Sequence, residues 1–175
     1  MIEVILVDSN DMQTGKMEKL EAHKRGLLHR AFSVFIFNSK GEFLLQQRAI
    51  EKYHNGGLWT NSCCSHPFPG EDVLKAAKRR LFEEMGFRTE ISPLFSFMYK
   101  ATFDNGLTEH EFDHVFTGVY DGAISIDKSE VSDYCFKTLN DIEGSLQTHP
   151  QKYTEWFKIA LPQIKIFRER NLTNL

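Results

Sequence analysis

The segment LTEHEFDHVFTGVY (107–120) constrains this chain more than any other. Side chains alternate across a strand, so Glu109, Glu111 and Asp113 share one face, and His110, Phe112, His114 and Phe116 the other. Asp104-Asn105-Gly106 is a hairpin signal that joins this segment to a second strand-like run at 89–103. Three acidic groups on one face of a strand near the middle of a sheet need a cause. An edge strand with a solvated face is one; a metal or acid–base site is the other. His110 and His114 are expected to be ordinary histidines on the far side.

The remaining elements follow from period and punctuation. IEVILVD (2–8) is a short apolar strand, and KMEKLEAHKRG (16–26) has helical character ending at Gly26. AFSVFIFN (31–38) and EFLLQQR (42–48) are strands about a tight SKG turn. Residues 49–57 are irregular, and the stretch from Trp59 to Gly70 is expected as loop. EDVLKAAKRRLFEEMGF (71–87) is the clearest helix: Val73, Ala77, Leu81 and Met85 repeat at i+4, and Gly86 can cap its end. VSDYCFKTL (131–139) is a further strand with Cys135 in the core. Between 151 and 170, Trp156, Ile159, Ala160, Ile164 and Phe167 fall at helical spacing. Strands mixed with helices in this order imply an α+β fold, a mixed sheet with flanking helices. At 175 residues, 1–175 is expected to be one domain with its core at about 29–165.

Composition narrows the partners. The formal net charge of −3 excludes a broad basic footprint for nucleic acid but leaves room for a local basic pocket. No window approaches the roughly 20 apolar residues of a membrane span, and the N-terminus lacks the pattern of a signal peptide. Three cysteines, an odd number, argue against a disulfide framework and for a reducing compartment. A cytoplasmic protein, monomeric or weakly dimeric, with no nucleic-acid or membrane partner, is the expectation.

WTNSCCSHP (59–67) gathers two thiols and a histidine. Cys64, two residues before His66, is a candidate base or nucleophile; two small buried thiols are the alternative. His23, His29 and His66 with two carboxylates would suit Zn²⁺, Mn²⁺ or another divalent ion, although no short zinc spacing is present. Arg80 and Glu84 are four apart on the helix face that also carries the apolar stripe. A carboxylate turned inward there suggests a hard cation such as Mg²⁺, and Mg²⁺ suggests phosphate, for which Lys19, Arg48 and Lys52 are candidate cations.

These pieces together resemble the type I isopentenyl-diphosphate isomerases, a branch of the Nudix fold. The match is carried by TGKMEKLEAH (14–23), HRAFSVFIFN (29–38), LLQQRAIEK (44–52), GLWTNSCCSHP (57–67), RRLFEEMGF (79–87), FMYKA (97–101), LTEHE (107–111) and EW (155–156). Nudix hydrolases carry REUxEExGU on this helix, where U is a bulky apolar residue. Here Arg80 stands at the first glutamate, which counts against the alternative of a Nudix-type diphosphate hydrolase. Two smaller departures are the His23–His29 spacing, one residue shorter than in some relatives, and Cys63 at a place for a plain apolar residue.

The resemblance implies the conversion of isopentenyl diphosphate to dimethylallyl diphosphate in isoprenoid biosynthesis, through a carbocation. It implies a divalent metal on His23, His29, His66, Glu109 and Glu111, and Mg²⁺ on Glu84 and the Cys64 carbonyl. The histidine-site metal is left open among Mn²⁺, Zn²⁺ and Mg²⁺. Glu111 with Tyr99 protonates the alkene, Cys64 removes the second proton, and Trp156 faces the cation. Lys19, Arg48, Lys52 and Arg80 neutralise the small-molecule diphosphate.

Overall fold

The computed structural model describes residues 2–52 and 55–172. The elements in chain order are β1 (Glu3–Val7), β2 (Gln13–Glu18), α1 (Lys19–Arg25), β3 (His29–Phe37), β4 (Phe43–Arg48), β5 (Trp59–Thr60) and β6 (Cys63–Ser65). They continue with α2 (Val73–Met85), β7 (Ile91–Thr102), β8 (Thr108–Val119), β9 (Val131–Lys137), α3 (Leu139–Thr148) and α4 (Glu155–Leu172).

β3 is the axis of one mixed sheet. β8 runs parallel to it along its whole length, from His29↔Glu111 to Phe37↔Val119. A strand has two edges, so β1, β4 and β6 share the other one. β7 pairs with β8 on its far side. The acidic strand is therefore internal, not an edge strand, and Glu109, Glu111 and Asp113 are all buried. A solvated acidic face is overturned by this pairing.

The alternation of β3 serves two layers. Phe32, Val34 and Ile36 pack against Ala76, Ala77 and Leu81 of α2. Phe35 and Phe37 point the other way, into a core closed by Trp156, Phe157 and Ile164 of α4. Polar side chains on this second face, His29 and Ser33, lie at the end of that core and open the site. This is the α+β arrangement of a mixed sheet between helices.

Several boundaries differ from expectation. The helix expected over 16–26 begins at Lys19, because Lys16, Met17 and Glu18 pair with β1 as part of β2. The Glu18 carboxylate then caps α1 by accepting from Leu20 N at 3.0 Å and Glu21 N at 2.8 Å. The stretch 59–70 is not all loop: β5 adds to β4, and β6 to β3. The strand expected over 131–139 stops at Lys137, because Thr138 and Asp141 form a capping box that starts α3. That helix escaped the periodicity because Ile142 is its one fully buried residue. The C-terminal helix starts at Glu155, after a 3₁₀ turn at Pro150–Lys152. Its buried face is Trp156, Phe157, Ala160, Leu161 and Ile164, and Ile159 falls on the far side at 100° per residue. Phe167 is also 39 % exposed. Cys135 is half-buried and packs against the second core, and all three cysteines are free thiols.

Gly86 closes α2 for two reasons. Its φ is +74°, and an added Cβ would stand 2.1 Å from the Ser125 carbonyl oxygen. Gly86→Ala is expected to lower unfolding stability by at least about 1–2 kcal/mol, the left-handed strain alone. Denaturant melts measure it, and an unchanged midpoint would contradict this account.

Candidate active site

Four elements bring their polar side chains to the end of the second core. α1 supplies His23, β3 His29, the residue after β6 His66, and β8 Glu111. One donor atom from each lies within 4.8 Å of the others. His23 Nδ1 is 2.7 Å from the Lys19 carbonyl oxygen, and His29 Nδ1 is 2.8 Å from that of Leu27. A carbonyl only accepts, so each Nδ1 carries the hydrogen and each Nε2 presents a lone pair inward. His66 Nε2 donates to Glu111 Oε1 at 2.9 Å, while His29 Nε2 stands 3.5 Å from the same oxygen. His29 Nε2 and His66 Nδ1 are buried without a hydrogen bond. His29 Nε2, a buried orphan nitrogen in this ring of donors, fits a divalent ion. Burial pushes His66 down to about 3 and, aided by neighbouring His29, His23 to about 4, so both are neutral imidazoles near pH 7.

Of the five ligands implied by resemblance, Glu109 lies outside this group. It sits two residues along the same face, joined to Glu111 through Tyr99. The Tyr99 hydroxyl is 2.7 Å from Glu111 Oε2 and 3.1 Å from Glu109 Oε2. A phenol has one hydrogen, and the shorter contact assigns it to Glu111. Burial and the Glu111 charge push the Glu109 carboxyl well up. Burial alone would raise Glu111 too, but the neighbouring His29 and His66 imidazoles outweigh it and hold Glu111 well below the carboxylate range. Further along, Ser33 Oγ donates to Asp113 Oδ2 at 2.7 Å.

Cys64 reaches the site on β6, opposite Ser33 of β3. Its neighbour Cys63 points to the other face and is fully buried in the α2 core. Arg48 Nη1 lies 3.7 Å from Cys64 Sγ. Burial pushes the Cys64 thiol up to about 12, with Arg48 pulling the other way. Asn61, fully buried, holds this corner together. Its Nδ2 donates to the carbonyls of Val34 (3.1 Å) and Cys63 (2.7 Å), and its Oδ1 accepts from Trp156 Nε1 at 3.1 Å. Trp156 thereby presents its ring to the site, with the Arg48 guanidinium 5.3 Å from the ring centre. Sequence reasoning missed Asn61. A polar residue between Thr60 and Ser62 signals nothing until its burial is known.

Cys64, Tyr99, Glu109, Glu111 and Trp156 border one inner chamber of about 70 Å³. The four scattered cations Lys19, Arg48, Lys52 and Arg80 border it as well. An outer chamber of about 480 Å³ opens beyond, sharing Lys19, Lys52, His66 and Arg80 with the inner one. Glu84 is buried behind this mouth. Arg80 Nη2 holds its Oε1 at 2.5 Å and Gln46 Nε2 donates to its Oε2 at 3.0 Å. Among the described residues Glu84 joins no group of three or more His, Cys, Asp or Glu side chains that could hold an ion.

The fold and this site define the class. A family model described as the NUDIX domain matches residues 27–157. Solved structures agree on the fold: a protein of Deinococcus radiodurans superposes with a TM-score of 0.70 at 17 % identity, covering 84 % of this chain and 90 % of that one. The MutT protein of Methanosarcina mazei gives 0.65 at 20 %, covering 81 % and 95 %. Sequence relatives narrow it further. The isopentenyl-diphosphate Delta-isomerase of Pectobacterium atrosepticum is 52 % identical over 94 % of this chain and 92 % of its own length. Isopentenyl-diphosphate Delta-isomerase 2 of Aromatoleum aromaticum is 45 % identical over 97 % and 89 %. The chain belongs to the isopentenyl-diphosphate Delta-isomerase family within the Nudix superfamily.

Proposed function

We propose that this protein moves the double bond of isopentenyl diphosphate by one carbon, giving dimethylallyl diphosphate, with Cys64 and Glu111 as the two proton carriers. One observation supports this reading above others: the thiol of Cys64 and the Glu111–Tyr99 pair border the same small chamber, which Lys19, Arg48, Lys52 and Arg80 also line. They are carried by strands on opposite edges of β3.

The chemistry needs that arrangement. A proton added to the terminal CH₂ leaves a tertiary cation on the neighbouring carbon. Loss of a proton from the CH₂ on the diphosphate side then sets the new double bond. In this direction Glu111, with Tyr99 on its other oxygen, gives the first proton and the Cys64 thiolate takes the second. The pair holds one proton between them: it must stand on Glu111 for the forward reaction and on sulfur, where the shifts of both groups favour it, for the reverse one. The cation must be kept from water, which favours a small pocket with the Trp156 ring at its border. Lys19, Arg48, Lys52 and Arg80 hold the diphosphate.

His23, His29, His66 and Glu111 would hold one divalent ion, and three imidazoles with one carboxylate favour Zn²⁺ or Mn²⁺ over Mg²⁺. Bound there, such an ion supplies positive charge that orients Glu111 and tunes its acidity. No step is assigned to Mg²⁺ at Glu84. Diphosphate hydrolysis is disfavoured because the position of the first motif glutamate is Arg80, which itself grips Glu84.

Purified, metal-loaded protein is expected to convert isopentenyl diphosphate with added Mg²⁺ into the acid-labile allylic isomer, without release of inorganic phosphate or diphosphate. Proton NMR of the reaction follows both. Absence of the allylic product from folded protein would overturn the proposal.

A further inference from the structure

Two of the mouth cations already share an anion. Glu130 Oε2 accepts from Lys52 Nζ and lies 3.3 Å from Arg80 Nη2. Sequence reasoning gave Glu130 no role. It stands just before β9, and its backbone is fixed on both sides: its N–H donates to the Asp127 carbonyl and its carbonyl accepts from Ala49 N, each at 3.0 Å. The carboxylate borders the outer chamber, whereas Lys52 and Arg80 border both chambers. A rigid turn thus presents a negative charge to the cations from the outer side.

Positioning does not explain it. Arg80 is already gripped by Glu84 at 2.5 Å and by Glu83 at 3.0 Å, and Glu130 is its most distant carboxylate. What Glu130 adds is charge. A diphosphate held at the boundary between the chambers needs the same two cations and is repelled by the same oxygen. We propose that Glu130 competes with the substrate's diphosphate for Lys52 and Arg80, and so holds down the affinity of the mouth for diphosphate. For an enzyme whose substrate and product carry the same diphosphate, such a competitor weakens both complexes alike and speeds the release of product. The inference rests on the reading that Lys52 and Arg80 bind the diphosphate.

Calorimetric titration of inorganic diphosphate with Mg²⁺ into the metal-loaded protein separates the two. Glu130→Gln keeps the shape and removes the charge. It is expected to tighten binding about three- to tenfold, the amount two partly exposed ion pairs hold back. Glu51→Gln, at another carboxylate bordering the same outer chamber, controls for the general field and is expected to change affinity by less than half as much on a logarithmic scale. Lys52→Ala is expected to weaken binding, and in that background the gain from Glu130→Gln is expected to shrink. Unchanged or weaker binding in Glu130→Gln, or an equal gain in Glu51→Gln, overturns the competition while Lys52→Ala still vouches for the diphosphate site. Unchanged binding in Lys52→Ala removes the reading beneath it, and the competition with it.

Discussion

Cys64→Ser is expected to lower kcat by about 10²–10⁴-fold, the usual contribution of one positioned acid–base group, with KM changed little. Serine fits, since β6 already carries Ser65 and the facing residue on β3 is Ser33. Of the four cations proposed to hold the diphosphate, Arg48 contacts the sulfur, and Lys19, Lys52 and Arg80 are left to carry the binding. What changes is acidity. A hydroxyl beside the Arg48 guanidinium stays neutral, whereas a thiol can pass its proton to the reacting chain and take it back. Burial pushing Cys64 up to about 12 does not oppose the role. A sulfur that holds its proton firmly is a strong base once it is a thiolate, which is what the second proton transfer asks of it. Steady-state kinetics in both directions, with circular dichroism to check the fold, decide the matter. Near-normal turnover of folded Cys64→Ser would contradict the assignment.

The parts legible in the sequence were those written in local patterns. The 107–120 alternation, the hairpin at Asp104–Gly106 and the α2 stripe each follow from spacing within one element, and the structure has all three. The structure also brings His23, His29, His66 and Glu111 together, although 88 positions separate the first from the last. That convergence depends on the parallel register that sets His29 beside Glu111, and register between strands distant in sequence leaves no mark on either strand. The family resemblance supplied the set; spacing alone did not. β2 was hidden because Lys16-Met17-Glu18 has helical propensity and becomes strand only by pairing with β1. Asn61 and Glu130 were invisible for a related reason. One matters through complete burial and the other through the two cations it meets, and neither property exists before the chain folds.

Removing the metal is expected to cost stability as well as activity, and the two losses share a cause. His29 Nε2 is buried with no hydrogen bond among the four donors, and an unsatisfied buried group costs about 1–3 kcal/mol. An ion that binds the folded chain and not the unfolded one adds RT ln(1 + [L]/Kd), about 4 kcal/mol when free metal is a thousand times Kd. Chelated protein is therefore expected to melt well below protein given Zn²⁺ or Mn²⁺, and to regain its Tm on re-addition. Glu111→Gln sharpens the test. It keeps the side chain's size and one carbonyl oxygen, but removes the charge that faces His66 at 2.9 Å and accepts from Tyr99 at 2.7 Å. The variant is expected to lose most of the metal-dependent rise in Tm, to show sub-stoichiometric metal by elemental analysis, and to lose turnover by about 10⁴-fold, the upper range for one acid–base group. Asp113→Asn, two residues along the same face and outside the ligand group, should keep the metal response. If Tm is indifferent to chelation, or if Glu111→Gln keeps a full complement of metal, then the four converging donors do not make a metal centre. Glu111 would then have to carry its proton with hydrogen bonds from His66 and Tyr99 alone.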